Sequence, residues 1–137
     1  MVSYQSIGVK MPHIGWRQTT AWIRRVAEAY GMKVGDIAYI FCDDAKILEV
    51  NKEYLKHDYY TDIITFDYTE DNVISGDIFI SLDTVKSNAE QLECDYQREL
   101  HRVIIHGILH LCGIEDKTPD ARKVMEAAED KALDMLE

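Results

Sequence analysis

The feature that most constrains the fold is a strongly apolar segment over residues 95–112, which contains three histidines, two of them, His106 and His110, four residues apart. Its periodicity predicts one long helix, and Gly113 then ends it. A helix with so many apolar residues has to be buried, so it lies at the centre of the domain. A histidine buried there needs a polar partner, because an unpaired polar group is costly in a protein core. His106 and His110 must therefore be bound to something, either hydrogen-bond partners or a metal ion.

The rest of the chain contains signals for four strands and four more helices. Strands are predicted over residues 2–8, 34–42, 63–68 and 74–82, and helices over residues 17–30, 44–55, 83–92 and from Thr118-Pro119 to the C-terminus. The order is β, α, β, α, β, β and then helices only. This order predicts one α+β domain over residues 1–137, with a mixed four-stranded sheet, about five helices and a metal site at the end of the long buried helix.

The segment around the two histidines has the spacing of a metal site. His106 and His110, four residues apart on a helix, share one face, so both imidazoles can reach the same ion. Gly113 permits the chain to reverse, and Asp116 can then supply an oxygen as third ligand. Three protein ligands leave one zinc position open for water, whose pKa falls towards about 7. We therefore predict a hydrolase with one Zn²⁺ per chain, although another divalent metal also fits these ligands.

Zinc peptidases share the spacing of the two histidines and have to be weighed as an alternative. They place a general-base glutamate directly after the first histidine, in the motif HExxH. Here that position is Gly107, which has no side chain to move a proton. The sequence therefore disfavours peptide hydrolysis and leaves metal-assisted hydrolysis of another substrate.

The charge balance argues against nucleic acid as that substrate. The chain has 25 acidic and 15 basic residues and a formal net charge of −10, the wrong sign for binding phosphates over a wide surface. The three cysteines form no CxxC pair and are expected to be reduced thiols. With no signal peptide and no membrane span in the sequence, the expected location is the cytoplasm.

HGILHLCG, together with the upstream segments TDIITF and SGDIFIS, resembles the YbeY family of metal-dependent endoribonucleases. The resemblance covers nearly the whole chain, in the order typical of the family. It implies a single-strand-specific, zinc-bound endoribonuclease that acts in 16S rRNA 3′-end maturation and ribosome quality control. The implied partners are single-stranded rRNA and the small ribosomal subunit or its assembly factors.

The chain departs from the family pattern at three positions. The third metal ligand, commonly histidine in HGxLHLxGYDH, is replaced by Asp116, whose charge should make the bound water less acidic. Leu55 stands in place of an arginine in the family's NxxYRxKDxPTD segment, and Tyr60 replaces its proline. A phosphate contact made by that arginine must therefore come from elsewhere in this chain.

We predict three further catalytic residues around the metal. His57 neighbours the position of the missing arginine and can transfer protons near neutral pH. Arg102, four residues before His106, can share its helix face and contact phosphate. Glu115, next to Asp116, can orient a water molecule. Lys52 and Lys56 are further candidates for a basic lining inside an acidic protein, whereas Asp62 is as well suited to brace a loop as to touch substrate.

Two questions stay open at the level of sequence. Attack by metal-activated water would give 5′-phosphate products, whereas attack by the ribose 2′-hydroxyl would leave a cyclic phosphate. The second question is whether the chain is an endoribonuclease or a non-catalytic ribosome assembly factor in which the metal is structural. An open fourth ligand position distinguishes the enzyme from the assembly factor, since a structural site would be closed.

Overall fold

A four-stranded mixed sheet forms the centre of the fold. The computed structural model describes residues 1–55 and 62–136. The sheet order is β1-β2-β4-β3; β1, β2 and β4 are parallel, and β3 runs antiparallel to β4 at one edge. The strands are β1 (Val2–Ser6), β2 (Lys33–Cys42), β3 (Ile63–Asp67) and β4 (Val73–Ser81).

Five α-helices accompany the sheet within the described residues. They are α1 (Trp16–Ala29), α2 (Asp44–Val50), α3 (Leu82–Gln91), α4 (Tyr96–Leu111) and α5 (Pro119–Asp134). Three of them begin at a side chain that accepts a hydrogen bond from the first turn, namely Asp43, Ser81 and Thr118. These caps satisfy backbone amides that would otherwise lack partners at the helix start.

The predicted fold class is confirmed: residues 1–55 and 62–136 form a single α+β domain with a mixed four-stranded sheet and five helices. The strands and helices end within about three residues of the predicted positions, as expected for element boundaries. The second helix differs, because its α-helical part ends at Val50 and the backbone continues as a π-helical turn, Asn51–Leu55. One wide turn changes the apolar spacing too little to be visible in the sequence.

The two faces of the sheet are covered unequally. One face packs against α1, α4 and α5 and forms the main core, with Trp22, Tyr39 and Ile104 among its fully buried side chains. The other face carries a small cluster with α2, formed by Cys42, Ile47, Val50 and Ile64. No helix in the described part of the chain is both long and apolar enough to cross a membrane.

Helix α4 is held tightly against the sheet. The hydroxyl of Tyr39 donates a hydrogen bond of 2.8 Å to the carbonyl of Ile104. A Cβ atom at Gly107 would lie only 3.0 Å from Cδ1 of Ile78 and 3.2 Å from Cδ1 of Ile63. Gly107 thus permits the close approach of α4 to β3 and β4, and its position faces the sheet. Another face of α4 carries the polar residues Arg102, His106 and His110, which follow one another at four-residue intervals.

Candidate metal centre

The end of α4 turns the chain back towards the two histidines. The amide of Gly113 donates to the carbonyl of His110 at 2.9 Å, and that of Ile114 donates to the carbonyl of Leu109 at 3.0 Å. These two bonds define a Schellman motif, and they require the left-handed backbone (φ 98°) that Gly113 adopts. The reversal places Asp116 beside the last two turns of α4.

His106, His110 and Asp116 form a cluster of three donors. Oδ2 of Asp116 lies 3.3 Å from Nε2 of His106 and 3.5 Å from Nε2 of His110. One ligand atom from each residue lies within 4.8 Å of the others. Four ligands around zinc at its usual bond length lie about 3.3 Å apart in a tetrahedron. The two distances from Asp116 therefore fit a shared divalent ion, as the sequence spacing predicts.

Glu129 from α5 orients the first histidine. Its Oε2 lies 2.5 Å from Nδ1 of His106. An ionised carboxylate only accepts hydrogen bonds, so Nδ1 carries the proton and Nε2 is left free to bind a metal. Burial disfavours the charged imidazole, but the hydrogen bond and charge of Glu129 outweigh it, and the pKa of His106 is raised. A carboxylate behind a ligating histidine is a common arrangement in metal sites.

Arg102 connects Glu129 to a second buried carboxylate. Nε and Nη2 of Arg102 bind the two oxygens of Glu99 at 2.8 and 2.5 Å, and Nη1 binds Oε1 of Glu129 at 2.8 Å. These bonds, with the Glu99 bond strongest, raise the pKa of Arg102 although burial opposes the charge. Burial raises the pKa of Glu129, but His106 and Arg102 lower it by more, so this carboxyl is ionised.

His110 has different surroundings. Burial and the nearby charge of His106 lower its pKa, although Asp116 and a hydrogen bond to the backbone of Ile114 oppose this shift. The rings of His106 and His110 lie 4.7 Å apart, edge to face. The second imidazole is therefore held by the turn after α4, whereas the first is held by a side chain of α5.

The three donors line a groove of about 750 Å³ between β3, the end of α4 and the start of α5. Asp62, just before β3, also lines it and accepts a hydrogen bond of 3.4 Å from Nδ2 of Asn88. Burial raises the pKa of Asp62, although the charges of His106 and Arg102 partly oppose this. Lys117 and Arg122 also line the groove, and among the described residues neither forms an ion pair.

The predicted catalytic residues have different positions. Arg102 lines the groove on the same face of α4 as His106, but its guanidinium is bound to two carboxylates. Glu115 lines the groove and is exposed. His57, like Lys56 and Tyr60, lies outside the described residues. The catalytic roles of His57, Arg102 and Glu115 remain predictions.

Two residues of this site, Glu99 and Glu129, were not predicted from the sequence. Both could have been found from the helical pattern, because each is a charged residue at a position that the apolar periodicity of its helix predicts to be buried. In α5 the buried residues include Met125, Ala128, Ala132 and Leu133, and Glu129 shares their face. In α4, Glu99 directly precedes the buried Leu100. Charged residues at such positions need partners, so their place in the apolar pattern indicates a buried polar network.

Comparison with known proteins shows the family of the chain. The sequence profile described as Endoribonuclease YbeY matches residues 9–137. A protein of that name from Phocaeicola vulgatus is 70% identical over 136 residues, covering 99% of both chains. One from Bacteroides thetaiotaomicron is 66% identical over 134 residues, covering 98% of both chains. A solution structure from Thermotoga maritima matches with a TM-score of 0.69 at 25% identity, over 99% of this chain and 89% of the other.

Proposed function

The chain belongs to the YbeY family of metal-dependent endoribonucleases, and we propose that it cleaves single-stranded RNA in the groove beside His106, His110 and Asp116. The observation that carries this proposal is the convergence of three donor atoms within 4.8 Å of one another, with one imidazole already oriented by Glu129. A single divalent ion can bind all three donors at once. The cluster also lies in the wall of an open groove, where a substrate can reach it.

Zinc is the metal we propose. Two imidazole nitrogens and one carboxylate oxygen are a typical donor set for catalytic zinc, and three protein ligands leave a coordination position open. When bound, zinc supplies Lewis acidity and lowers the pKa of a coordinated water towards about 7. Nε2 of His106, Nε2 of His110 and Oδ2 of Asp116 would hold the ion, because Oδ2 lies within 3.5 Å of both nitrogens. Glu129 keeps the proton of His106 on Nδ1, away from that place.

The groove suits an unpaired strand. A volume of about 750 Å³ is typical of sites for small ligands and accommodates a few nucleotides rather than a duplex. Six carboxylate residues line it against three basic residues, so electrostatic attraction to RNA has to be local. We propose that Lys117 and Arg122 bind the phosphates on either side of the cleaved bond. They are exposed, line the groove and have no carboxylate partner among the described residues.

The biological substrate we propose is the 3′ end of 16S rRNA during maturation, together with rRNA of defective ribosomes during quality control. The net charge of −10 supports this choice, because so acidic a protein binds free RNA weakly and gains from docking on a partner. The small ribosomal subunit or one of its assembly factors is that partner, and the cytoplasm is then the place of action. His57 and Glu115 are proposed to move protons and to orient water, respectively.

The test compares metal content with RNA cleavage. His110→Ala and Asp116→Ala each remove a ligand, and His13→Ala is the matched control because His13 is exposed and far from the cluster in sequence. Purified proteins are analysed for bound metal and assayed on a single-stranded rRNA 3′-end fragment and on the same fragment in a duplex. We expect wild type and His13→Ala to bind one zinc and cleave only the single strand, and the ligand variants to lose both properties.

Two other outcomes contradict parts of the proposal. Full cleavage by a metal-free variant would remove the metal from the mechanism. Metal binding by the wild-type protein without cleavage of any RNA would favour the assembly factor with a structural metal. Mapping the product ends then decides the nucleophile, because a 5′-phosphate requires attack by water and a cyclic phosphate requires attack by the 2′-hydroxyl. A peptidase activity is not expected, since Gly107 offers no side chain as a general base and its position faces the sheet.

A further inference from the structure

We infer that Glu99, Arg102 and Glu129 form a positioning chain that holds His106 in the tautomer and orientation required for metal binding. In this role Arg102 acts through Glu129, rather than on the RNA. The inference rests on the proposed metal site, and it assigns a function to residues that touch neither the ion nor the substrate. We call these three residues the carboxylate–arginine chain.

The first argument is that every link of the carboxylate–arginine chain is a direct bond to a buried carboxylate. Glu99 is 1% exposed and Glu129 is 2% exposed. Both oxygens of Glu99 are bound by Arg102, and Arg102 binds the near oxygen of Glu129 at 2.8 Å. The far oxygen of Glu129 binds Nδ1 of His106. A shift of Arg102 therefore moves Glu129, and Glu129 sets the orientation of the imidazole.

The second argument is the charge of the carboxylate–arginine chain. Two carboxylates against one guanidinium leave an excess of one carboxylate, and Glu129 turns one of its oxygens towards His106. An uncompensated buried charge is costly, so this arrangement favours a cation at His106. A divalent ion on Nε2 supplies that charge one imidazole away, as a proton on the same nitrogen does in the absence of metal.

The third argument concerns the guanidinium itself. Arg102 is 28% exposed and lines the groove, so its position alone would suit a phosphate contact. Three of its five N–H groups, however, are already used by carboxylates. Two carboxylates offset its positive charge, and its attraction for a phosphate is correspondingly weak. The guanidinium links α4 to α5, because it binds Glu99 of its own helix and Glu129 of α5.

The experiment measures zinc affinity by competition with a chromophoric chelator, on the full chain. Glu129→Gln should weaken zinc binding by about 10- to 100-fold, the usual cost of losing the residue behind a ligand. Glu99→Gln should weaken it by a smaller factor, and the double variant should be no weaker than Glu129→Gln alone, since both act along one path. The matched control is Glu126→Gln, which removes an exposed groove carboxylate from the same helix and should change affinity by less than about twofold.

Arg102→Lys separates positioning from phosphate binding. A positioning residue predicts lower zinc affinity but an unchanged KM for RNA once zinc is saturating. A phosphate contact predicts the reverse, a raised KM with unchanged zinc affinity, and would overturn the inference. Thermal unfolding in a chelator checks folding, and should Glu129→Gln fail to fold, Glu99→Gln and Arg102→Lys still decide the question.

The inference is also overturned if Glu129→Gln or Glu99→Gln binds zinc as tightly as Glu126→Gln does. Those outcomes leave the proposed function intact, because the wild-type protein would still bind zinc and cleave RNA. Failure of the proposed function shows differently, as a wild-type protein that binds no zinc or cleaves fully without it.

Discussion

The two histidines of the site lie one helical turn apart, yet they are held in different ways, and each belongs to a different half of the site. His106 is 15% exposed and is bound by a buried carboxylate of α5, which raises its pKa. His110 is 31% exposed, is held by the turn after α4 and has a lowered pKa, chiefly because of burial. Asp116, in that same turn, faces both imidazoles. One half is thus fixed by the core and the other by a loop.

This difference shows how one helix can serve both stability and binding. The His106 half is fixed before any ion arrives, because the buried Glu129 of α5 binds both His106 and Arg102 of α4. The loop half depends on one backbone conformation at Gly113. The half at His106 is formed in advance, and the half at His110 is held by a turn, so together they can bind an ion without closing the groove. Substitutions in either half test this difference.

The largest effect is expected from removing the histidines themselves. His106→Ala and His110→Ala should each weaken zinc binding by more than about 100-fold, beyond the cost of losing a residue behind a ligand. The two variants should differ in stability without metal. His106→Ala removes a partner of the buried Glu129 and should lower the free energy of unfolding by about 1–3 kcal/mol, whereas His110→Ala should change it much less. Chelator competition and urea unfolding in EDTA measure the two quantities.

Equal stability losses in these two variants would mean that the halves are not built differently. A normal zinc affinity in either variant would remove that histidine from the ligand set.

The next effect is expected at the turn. Gly113→Ala places a side chain at φ 98° and should cost about 1–2 kcal/mol of stability. Gly31→Ala is the matched control, since Gly31 follows α1 with φ 73° and, like Gly113, has open space around its Cα. Both variants should be destabilised similarly, but only Gly113→Ala should weaken zinc binding, because only Gly113 positions Asp116. Thermal unfolding and chelator competition decide this. Equal zinc affinity in both variants would contradict the role given to the turn.

The sequence could predict most of this arrangement for identifiable reasons. The apolar periodicity of residues 95–112 required a central helix, and the spacing of His106 and His110 placed both on one face of it. Gly113 indicated the reversal that brings Asp116 back. Glu129, by contrast, is 23 residues from His106, and only packing of α5 against α4 makes them neighbours. Local spacing carries no information on that packing. The same reason hid the parallel pairing of β4 with β2, since strand order is a long-range property.

A smaller effect concerns protonation of the metal-free protein. The two imidazoles titrate as a coupled pair, and we expect the higher apparent pKa at His106 and the lower one at His110. Because the pKa of His106 is raised, its protonation stabilises the fold at pH below about 6.5, and this contribution is lost as the pH rises through the folded-state pKa. Glu129→Gln should lower the pKa of His106. NMR titration of the imidazole resonances measures the order, and the reverse order would contradict the comparison.

The smallest effect is expected at Arg122, which lines the groove. Arg122→Gln should raise the KM for single-stranded RNA by a few-fold and reduce the dependence of binding on salt by about one counterion, with kcat and zinc affinity unchanged. Lys123→Gln is the matched control, because Lys123 is exposed on the same helix but does not line the groove. The same loss in both variants would mean that general charge, rather than a contact in the groove, attracts the RNA.

The most direct measurement is zinc titration of the metal-stripped protein, followed in parallel by RNA cleavage. The protein is dialysed against chelator and titrated with Zn²⁺, and cleavage of a single-stranded rRNA 3′-end fragment is recorded at each step. We predict that cleavage is absent at the start, rises in proportion to bound zinc and reaches its plateau at one ion per chain. Full cleavage before zinc is added, or a plateau reached without zinc bound at His106, His110 and Asp116, would contradict the account.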